Sequence, residues 1–534
     1  MTTQRSLSLS FHGWDARQQK ATKAELTPDE VMSVAVRLHE AAHASSDEGP
    51  DSDHAERRQE QTSRDQRVYR GGGVIRDGGL RGGAHSSSLI ARLKRLSEST
   101  RVRSVEPFQV RSPHNPAMMH VRGPRRPRLR WAAIVLEEDR GQAIDALADL
   151  CALRKEQQLA IGPTPNSDNA AGVIVVSRPR SSDPERWIAR ITEAAGAPLP
   201  DYLLFVGGPD RFPFDVQTTL DISKMTGRLD FDGVGEQYWT QCQAYVAKVV
   251  RFEQGLSLVE PMALFYGFGI DSATAESRQD LVGRLLQYVK SESFPTAEGR
   301  QLLPPMELLD NQANSAALRR ALTTKRPALV FTATHGLEYP HAAGLWGSLT
   351  DSQFVGSSGD DPLSAVTIPN ESFAEGAIIF SFACFSAGVP RRSAIRYLFN
   401  NEDVDIAEAP FVSPLPKRLL GHPRGPVAFV GHVDRATSDS FSMGAGEEVP
   451  ASFAYFCEDT LGGLGTLGEA MARFRLQTNV AGDALLKSFP TFDGRPSLAS
   501  ATEKVLRWVR YFDAQGYLLL GDPALSIGAA SLLR

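Results

Sequence analysis

The sequence predicts an α/β protein, a three-layer α/β/α arrangement around a mostly parallel sheet, preceded by a largely disordered N-terminal arm. Three observations predict it. From Trp131 onward, short apolar runs alternate with segments of helical spacing, the order that puts a parallel sheet between two helical layers. Those runs are apolar throughout, as strands buried on both faces are. Before Trp131 the chain is polar, charged and glycine-rich, with too little apolar surface to offset chain entropy.

Taken in order, Thr27 to Ala44 reads as a helix, with Thr27 as cap and Pro28 in the first turn. SSDEGPDSDHAERRQEQTSRDQ offers almost nothing to bury. Arg70 to Gly83 and Arg122 to Arg130 are basic clusters, a format that nucleic acid or an acidic surface can use. No aromatic platform accompanies the arginines, so a solvated linker is favoured over nucleic-acid binding. The strand candidates that follow are WAAIVLEE, AGVIVVS, DYLLFVGGPDRFPFD, the short MTGRL, and PMALFYGFG. Helical spacing covers Gln142–Leu159, Asp183–Ala195, Tyr238–Glu253, Ser277–Glu292 and Leu308–Leu322. ALVFTATHG, AIIFSFACFSAG, RGPVAFVGHVDRAT and GYLLLGDPALSI are further strands, with Cys457–Val480 read as helix. The expected division is an arm over 1–130, a first α/β half over 131–300 and a second half over 301–534.

The chain has 534 residues, which suggests about three domains. With 42% apolar and 23% charged residues and a net charge of -5, it can bury a large core and has no overall pull toward nucleic acid. No apolar run approaches the roughly 18 residues that span a bilayer, so no membrane partner is expected. The first twenty residues lack the apolar core of a secretion signal, so the expected compartment is the cytoplasm. Cys151, Cys242, Cys384 and Cys457 are widely spaced, without CxxC pairs or histidine at ligand intervals. Neither a disulfide framework, a metal centre nor a cofactor is expected. Cys151, Cys242 and Cys457 sit in helical patterns and read as small core residues.

Two strands end differently. ALVFTATHG delivers His335 followed by Gly336, and AIIFSFACFSAG delivers Cys384 followed, after Phe385, by Ser-Ala-Gly. If these strands are neighbours, thiol and imidazole meet at the carboxyl edge of the sheet, where α/β proteins bind ligands, as a nucleophile and its base. Seven of the eleven histidines precede Trp131, leaving His335, His341, His422 and His432 in the folded part. Of these only His335 has glycine directly after it, which lets a backbone N–H face a developing oxyanion. His432 with Asp434 lacks a further nucleophile and reads as structural, and Asp522 in Gly-Asp-Pro reads as turn chemistry.

The His-Gly and Ala-Cys pairs at successive strand ends resemble those of the caspase-like cysteine peptidases, within which the gingipain-type peptidases and CHAT domains are most similar. YLLFVGGPDRFPF, MTGRLDFDG with AYVAKVVRFEQ, and YLLLGDPALSI resemble further segments of that group in the same order, over Tyr202 to Ile527. The resemblance implies a caspase-like fold in which Cys384 is the nucleophile and His335 the base or imidazolium partner, with the N–H groups of Gly336 and Cys384 as oxyanion donors. FACFSAG departs from the caspase pentapeptide, so a preference for aspartate does not carry over.

Glu338, Asp351, Asp360 and Asp361 lie in the long glycine-rich loop between the two site strands. They read as solvated loop acids, with the lining of a pocket for a basic substrate side chain as the functional alternative. The expected activity is that of a cysteine endopeptidase acting on a protein or peptide through a thioester. Activation by a partner, or by cleavage at Arg391-Arg392 or within the arm, goes with it. A catalytically silent scaffold and an RNA-associated protein binding through its arm stay open as alternatives.

Overall fold

The computed structural model describes residues 6–15, 20–43, 130–157, 172–180, 182–196, 198–291, 296–297, 300–338, 363–398, 405–441, 449–488, 497–529 and 531–532. The basic clusters ahead of Arg130, Asp351, Asp360, Asp361 and most of the long loop lie outside the described residues.

The strands in chain order are β1 (Leu7–Asp15), β2 (Lys20–Leu26), β3 (Trp131–Leu136), β4 (Val173–Val176), β5 (Tyr202–Val206), β6 (Met225–Leu229), β7 (Leu258–Gly267) and β8 (Met306–Leu309). They continue with β9 (Pro327–Ala333), β10 (Gly336–Glu338), β11 (Ile378–Phe382), β12 (Gly388–Val389), β13 (Phe411–Val412), β14 (Ala428–His432), β15 (Tyr517–Leu520) and β16 (Ser531–Leu532). The main sheet runs β16-β7-β9-β11-β14-β15-β6-β5-β3-β4, with β8 beside β7. Every pairing is parallel except β14 with β15. The sheet therefore consists of two parallel halves of opposite direction, so their carboxyl edges lie at opposite ends.

Both faces are covered. Along β3, Trp131, Ala133 and Val135 join one apolar core while Ala132, Ile134 and Leu136 join another, and β5 divides in the same way. This is why these strands read as continuous apolar runs: the period of two places successive side chains in separate cores. Helices Pro184–Ala195 and Phe214–Asp221 contribute to the smaller core, and helices Arg140–Glu156 and Glu236–Glu253 to the larger. The mixed α/β architecture and mostly parallel sheet are as the sequence predicts.

Two expectations need correction. Leu308–Leu322 is not one helix: Met306–Leu309 forms a strand beside β7, and helix Ser315–Thr324 starts after it, capped by the Asn314 side chain on the N–H of Ala317. Cys457–Val480 is broken between helices Ala451–Gly462 and Leu467–Ala470 because Gly463 and Gly465 both take φ of 69°, a left-handed turn that ends a helix. The change of strand direction within the sheet falls between β14 and β15.

A buried ionic cluster joins Trp131, Arg154 and Glu253 to Asp522 in the C-terminal segment. Arg154 donates through Nε and Nη2 to Asp522 at 3.1 and 2.7 Å, and through Nη1 and Nη2 to Glu253 at 2.9 and 2.6 Å. Trp131 Nε1 donates to Asp522 at 3.0 Å. Asp522 thus holds the sheet together, well beyond the role of a turn residue.

Within the arm the structure adds two strands to the expected helix, which runs Pro28–His43. The N–H of Thr27 donates to Glu30 at 2.7 Å, and the N–H of Glu30 donates to the Thr27 hydroxyl at 3.3 Å, a reciprocal cap. β1 and β2 form an antiparallel hairpin, and β1 also pairs in parallel with β10. Leu9, Phe11, Leu26, Val31, Val34 and Leu38 build a core with Trp508 and Val509 of helix Leu498–Gln515. Cys384 and Phe385 belong to that same core.

Candidate active site

β9 and β11 are adjacent and parallel, with Ala333 opposite Phe382, and the N–H of Thr334 donates to Phe382 O at 3.0 Å. His335 lies two residues past Ala333 and Cys384 two residues past Phe382. Both are fully buried. Gly336 packs on the Cys384 backbone so closely that a Cβ there would overlap the carbonyl oxygen and carbon of Cys384. Glycine is required at this close approach.

The turn after Cys384 is tightly held. Phe385 has φ of 57°, uncommon for a bulky residue, and its N–H donates to Asp434 O at 2.7 Å while its carbonyl accepts from the Ser413 hydroxyl at 2.6 Å. Asp434 is itself left-handed at φ of 82°. Its carboxylate accepts from the Ser393 hydroxyl and from the N–H of Ala394, at 2.8 and 2.6 Å. These bonds fix the loop 433–437 beyond β14 beside Cys384, whose sulfur lies 3.7 Å from Ala436 O.

Sequence reasoning missed the partner of His335. β7 neighbours β9 in parallel, Gly267 opposite Ala333, so the residues just past β7 reach the same edge. There Asp271 caps helix Ser272–Glu276, its Oδ1 accepting from Thr274 N–H at 2.9 Å. Its other oxygen, Oδ2, lies 2.6 Å from His335 Nε2. Burial opposes ionisation, but the bond and charge of His335, with the donors of Thr274, hold the Asp271 carboxyl well below the usual range. An ionised Asp271 can only accept, which puts the proton on Nε2 and leaves Nδ1 as the basic nitrogen of the ring.

His12 is the second residue missed, because the count of histidines set aside the whole arm. Its ring is fully buried, 4.6 Å from the Phe382 ring centroid and 6.1 Å from those of Phe441 and His335. Neither ring nitrogen has a hydrogen-bond partner among the described residues. Burial pushes the imidazole down to about 3, with His335 adding to the effect and Asp271 opposing it. The backbone of His12 is clamped: its N–H donates to Ala436 O and its carbonyl accepts from Cys384 N–H, both at 3.0 Å.

The other candidates fall elsewhere. Glu338 is in β10, paired by backbone with Asp15, and its side chain lies outside the described residues. His432 is buried between Asp434 O, 3.2 Å from Nδ1, and Asp513 O, 3.0 Å from Nε2. Cys151, Cys242 and Cys457 are buried, and desolvation raises all three thiols, the first two to about 12. A cavity of about 800 Å³ opens at Gly269, near Asp271, lined by Arg278, Asp280, Arg284 and Tyr288. Among the described residues no helix is long and apolar enough to cross a membrane.

No protein-family model matches the chain, and no curated protein matches it. Among solved structures, one described as "Structure of Protease" is similar at a TM-score of 0.41 and 11% identity, covering 75% of this chain and 79% of that chain. A likeness of that size bears on neither activity nor mechanism.

Proposed function

We propose that the chain is a cysteine endopeptidase of the caspase-like kind, in which Cys384 attacks a peptide carbonyl, His335 manages the proton, and Asp271 orients the imidazole. The observation that supports this reading is the convergence of three strand ends. β7, β9 and β11 bring a carboxylate, an imidazole bonded to it at 2.6 Å, and a thiol to one edge of the sheet. In the proposed reaction the Cys384 thiol passes its proton to His335 as its sulfur bonds to the carbonyl carbon, His335 gives that proton to the amine as the C–N bond breaks, and water hydrolyses the thioester, releasing the acid and restoring the thiol. The N–H of Cys384 stabilises the oxyanion, and the N–H of Gly336 is proposed as the second donor.

Cleavage of a random peptide library by the purified chain tests this. Hydrolysis that disappears in Cys384→Ala supports the reading, and equal hydrolysis by Cys384→Ala removes it. The full burial of Cys384 beneath β1 favours a second reading, a silent scaffold, for which no peptide in the library is cut under any condition.

A further inference from the structure

We propose that β1 sits in the candidate site as an intramolecular substrate mimic, keeping the enzyme latent, and that its register identifies the substrate as an extended peptide with an apolar or aromatic side chain on the residue that surrenders its carbonyl. This deepens the peptidase reading and rests on it.

Backbone geometry carries the first part. An extended peptide entering a cysteine peptidase must present a carbonyl oxygen to the donor at the nucleophile's own N–H. Here that donor is already used: Cys384 N–H holds His12 O at 3.0 Å. The residues to either side are bound as a strand. Phe11 bridges antiparallel to Thr437, His12 N–H donates to Ala436 O, and Gly13 pairs in parallel with Gly336. β1 is therefore threaded between the loop after β14 and the residue after the candidate base. Main-chain bonds of this kind give affinity without selecting sequence, and the side-chain pockets select.

Those pockets carry the second part. Alternation along the strand sends Leu9 and Phe11 into the core shared with helix Leu498–Gln515, and His12 the other way. The aromatic rings beside His12 are those of Phe382, Phe441 and His335, with the Asp271 carboxylate, bonded to His335, acting on it electrostatically. A pocket that leaves both imidazole nitrogens buried without partners is built for apolar contact, and an occupant with no polar atoms fits it better. Basic side chains, expected if the loop acids line this pocket, are disfavoured.

The test is the rate at which iodoacetamide modifies Cys384 in the full-length chain, read by peptide mass mapping. Iodoacetamide measures access and not turnover, so it separates this inference from the peptidase reading. Phe11→Asp, which places a charge in the arm's core, is expected to raise the rate by about tenfold or more, and the peptide LSLSFHGWD added in trans is expected to lower it again while a scrambled peptide does not. His12→Phe, which replaces the unpartnered imidazole, is expected to slow labelling about tenfold and decides the matter if Phe11→Asp fails to fold. Labelling of Phe11→Asp at the wild-type rate, no competition by the peptide, or faster labelling of His12→Phe overturns the proposal. Faster labelling of Phe11→Asp without hydrolysis of any peptide leaves the occupancy standing and removes only the peptidase reading.

Discussion

Asp271 Oδ2 and His335 Nε2 are 2.6 Å apart, a contact between the cap of a helix that follows β7 and the second residue past β9. The proposed role of this bond is to fix the tautomer of His335 and stabilise its charged form. Asp271→Asn keeps the cap, since asparagine caps as well as aspartate, but removes the charge. Peptide turnover is expected to fall about 10²-fold or more, with a displaced pH profile and little change in melting temperature. A profile identical to that of the wild type would make Asp271 a structural cap only.

Gly336 meets the Cys384 backbone with no room for a Cβ. Because the obstruction is main chain, relaxation requires β9 and β11 to part. Gly336→Ala is expected to destabilise the fold by about 1–3 kcal/mol, as overpacking does, measured by denaturant unfolding. Unfolding at the wild-type midpoint would contradict the close approach.

Docking of β1 is expected to weaken as pH falls. The ordinary histidine value of 6.5 is lowered to about 3 in the docked His12, so below pH 6.5 the released arm binds more protons than the docked arm. Docking stability from this group is complete above 6.5 and is lost progressively toward 3, on the order of 2 kcal/mol by pH 5. The titratable groups acting on His12 are His335 and Asp271, and Asp271, held well below its usual range, stays ionised across this window. Hydrogen-exchange protection of the Cys384 amide should therefore drop between pH 7 and pH 5 in the wild type and stay level in His12→Phe. A drop of equal size in His12→Phe would assign the effect to another group.

Asp522→Ala leaves Arg154 buried with its largest opposing charge gone. Breaking a buried pair from one side costs about 3–5 kcal/mol, so a large loss of stability is expected in denaturant unfolding. Asp522 accepts from Arg154, Trp131 and the N–H of Ala524, and its own N–H donates to the Tyr245 hydroxyl, all remote from His335 and Cys384. Iodoacetamide labelling of Cys384 under native conditions should accordingly be unchanged. A labelling change as large as that of Phe11→Asp would mean that the two regions unfold together.

The parallel strands were legible because burial on both faces writes them as unbroken apolar runs, and His335 and Cys384 because they end such runs. Asp271 was not, since its role depends on β7 being the neighbour of β9, which no local pattern states; the cap Asp-Ser-Ala-Thr directly after an apolar strand was the available signal. His12 was hidden by the polar composition around it. The alternation in LSLSF is a strand pattern that pairs locally with β2, but the β10 partner of Gly13–Asp15, which ties the strand to the site, lies more than three hundred residues away. The break at Gly463 and Gly465 was visible as glycine and overridden by the apolar spacing on either side.

The most direct test of a Cys384 nucleophile served by His335 is to treat the Phe11→Asp chain with a peptidyl acyloxymethyl ketone and map the adduct by mass spectrometry. The account predicts a single adduct on Cys384, forming about 10²-fold more slowly when His335 is changed to alanine. An adduct on Cys151, Cys242 or Cys457 instead, or a rate at Cys384 indifferent to His335, would contradict it.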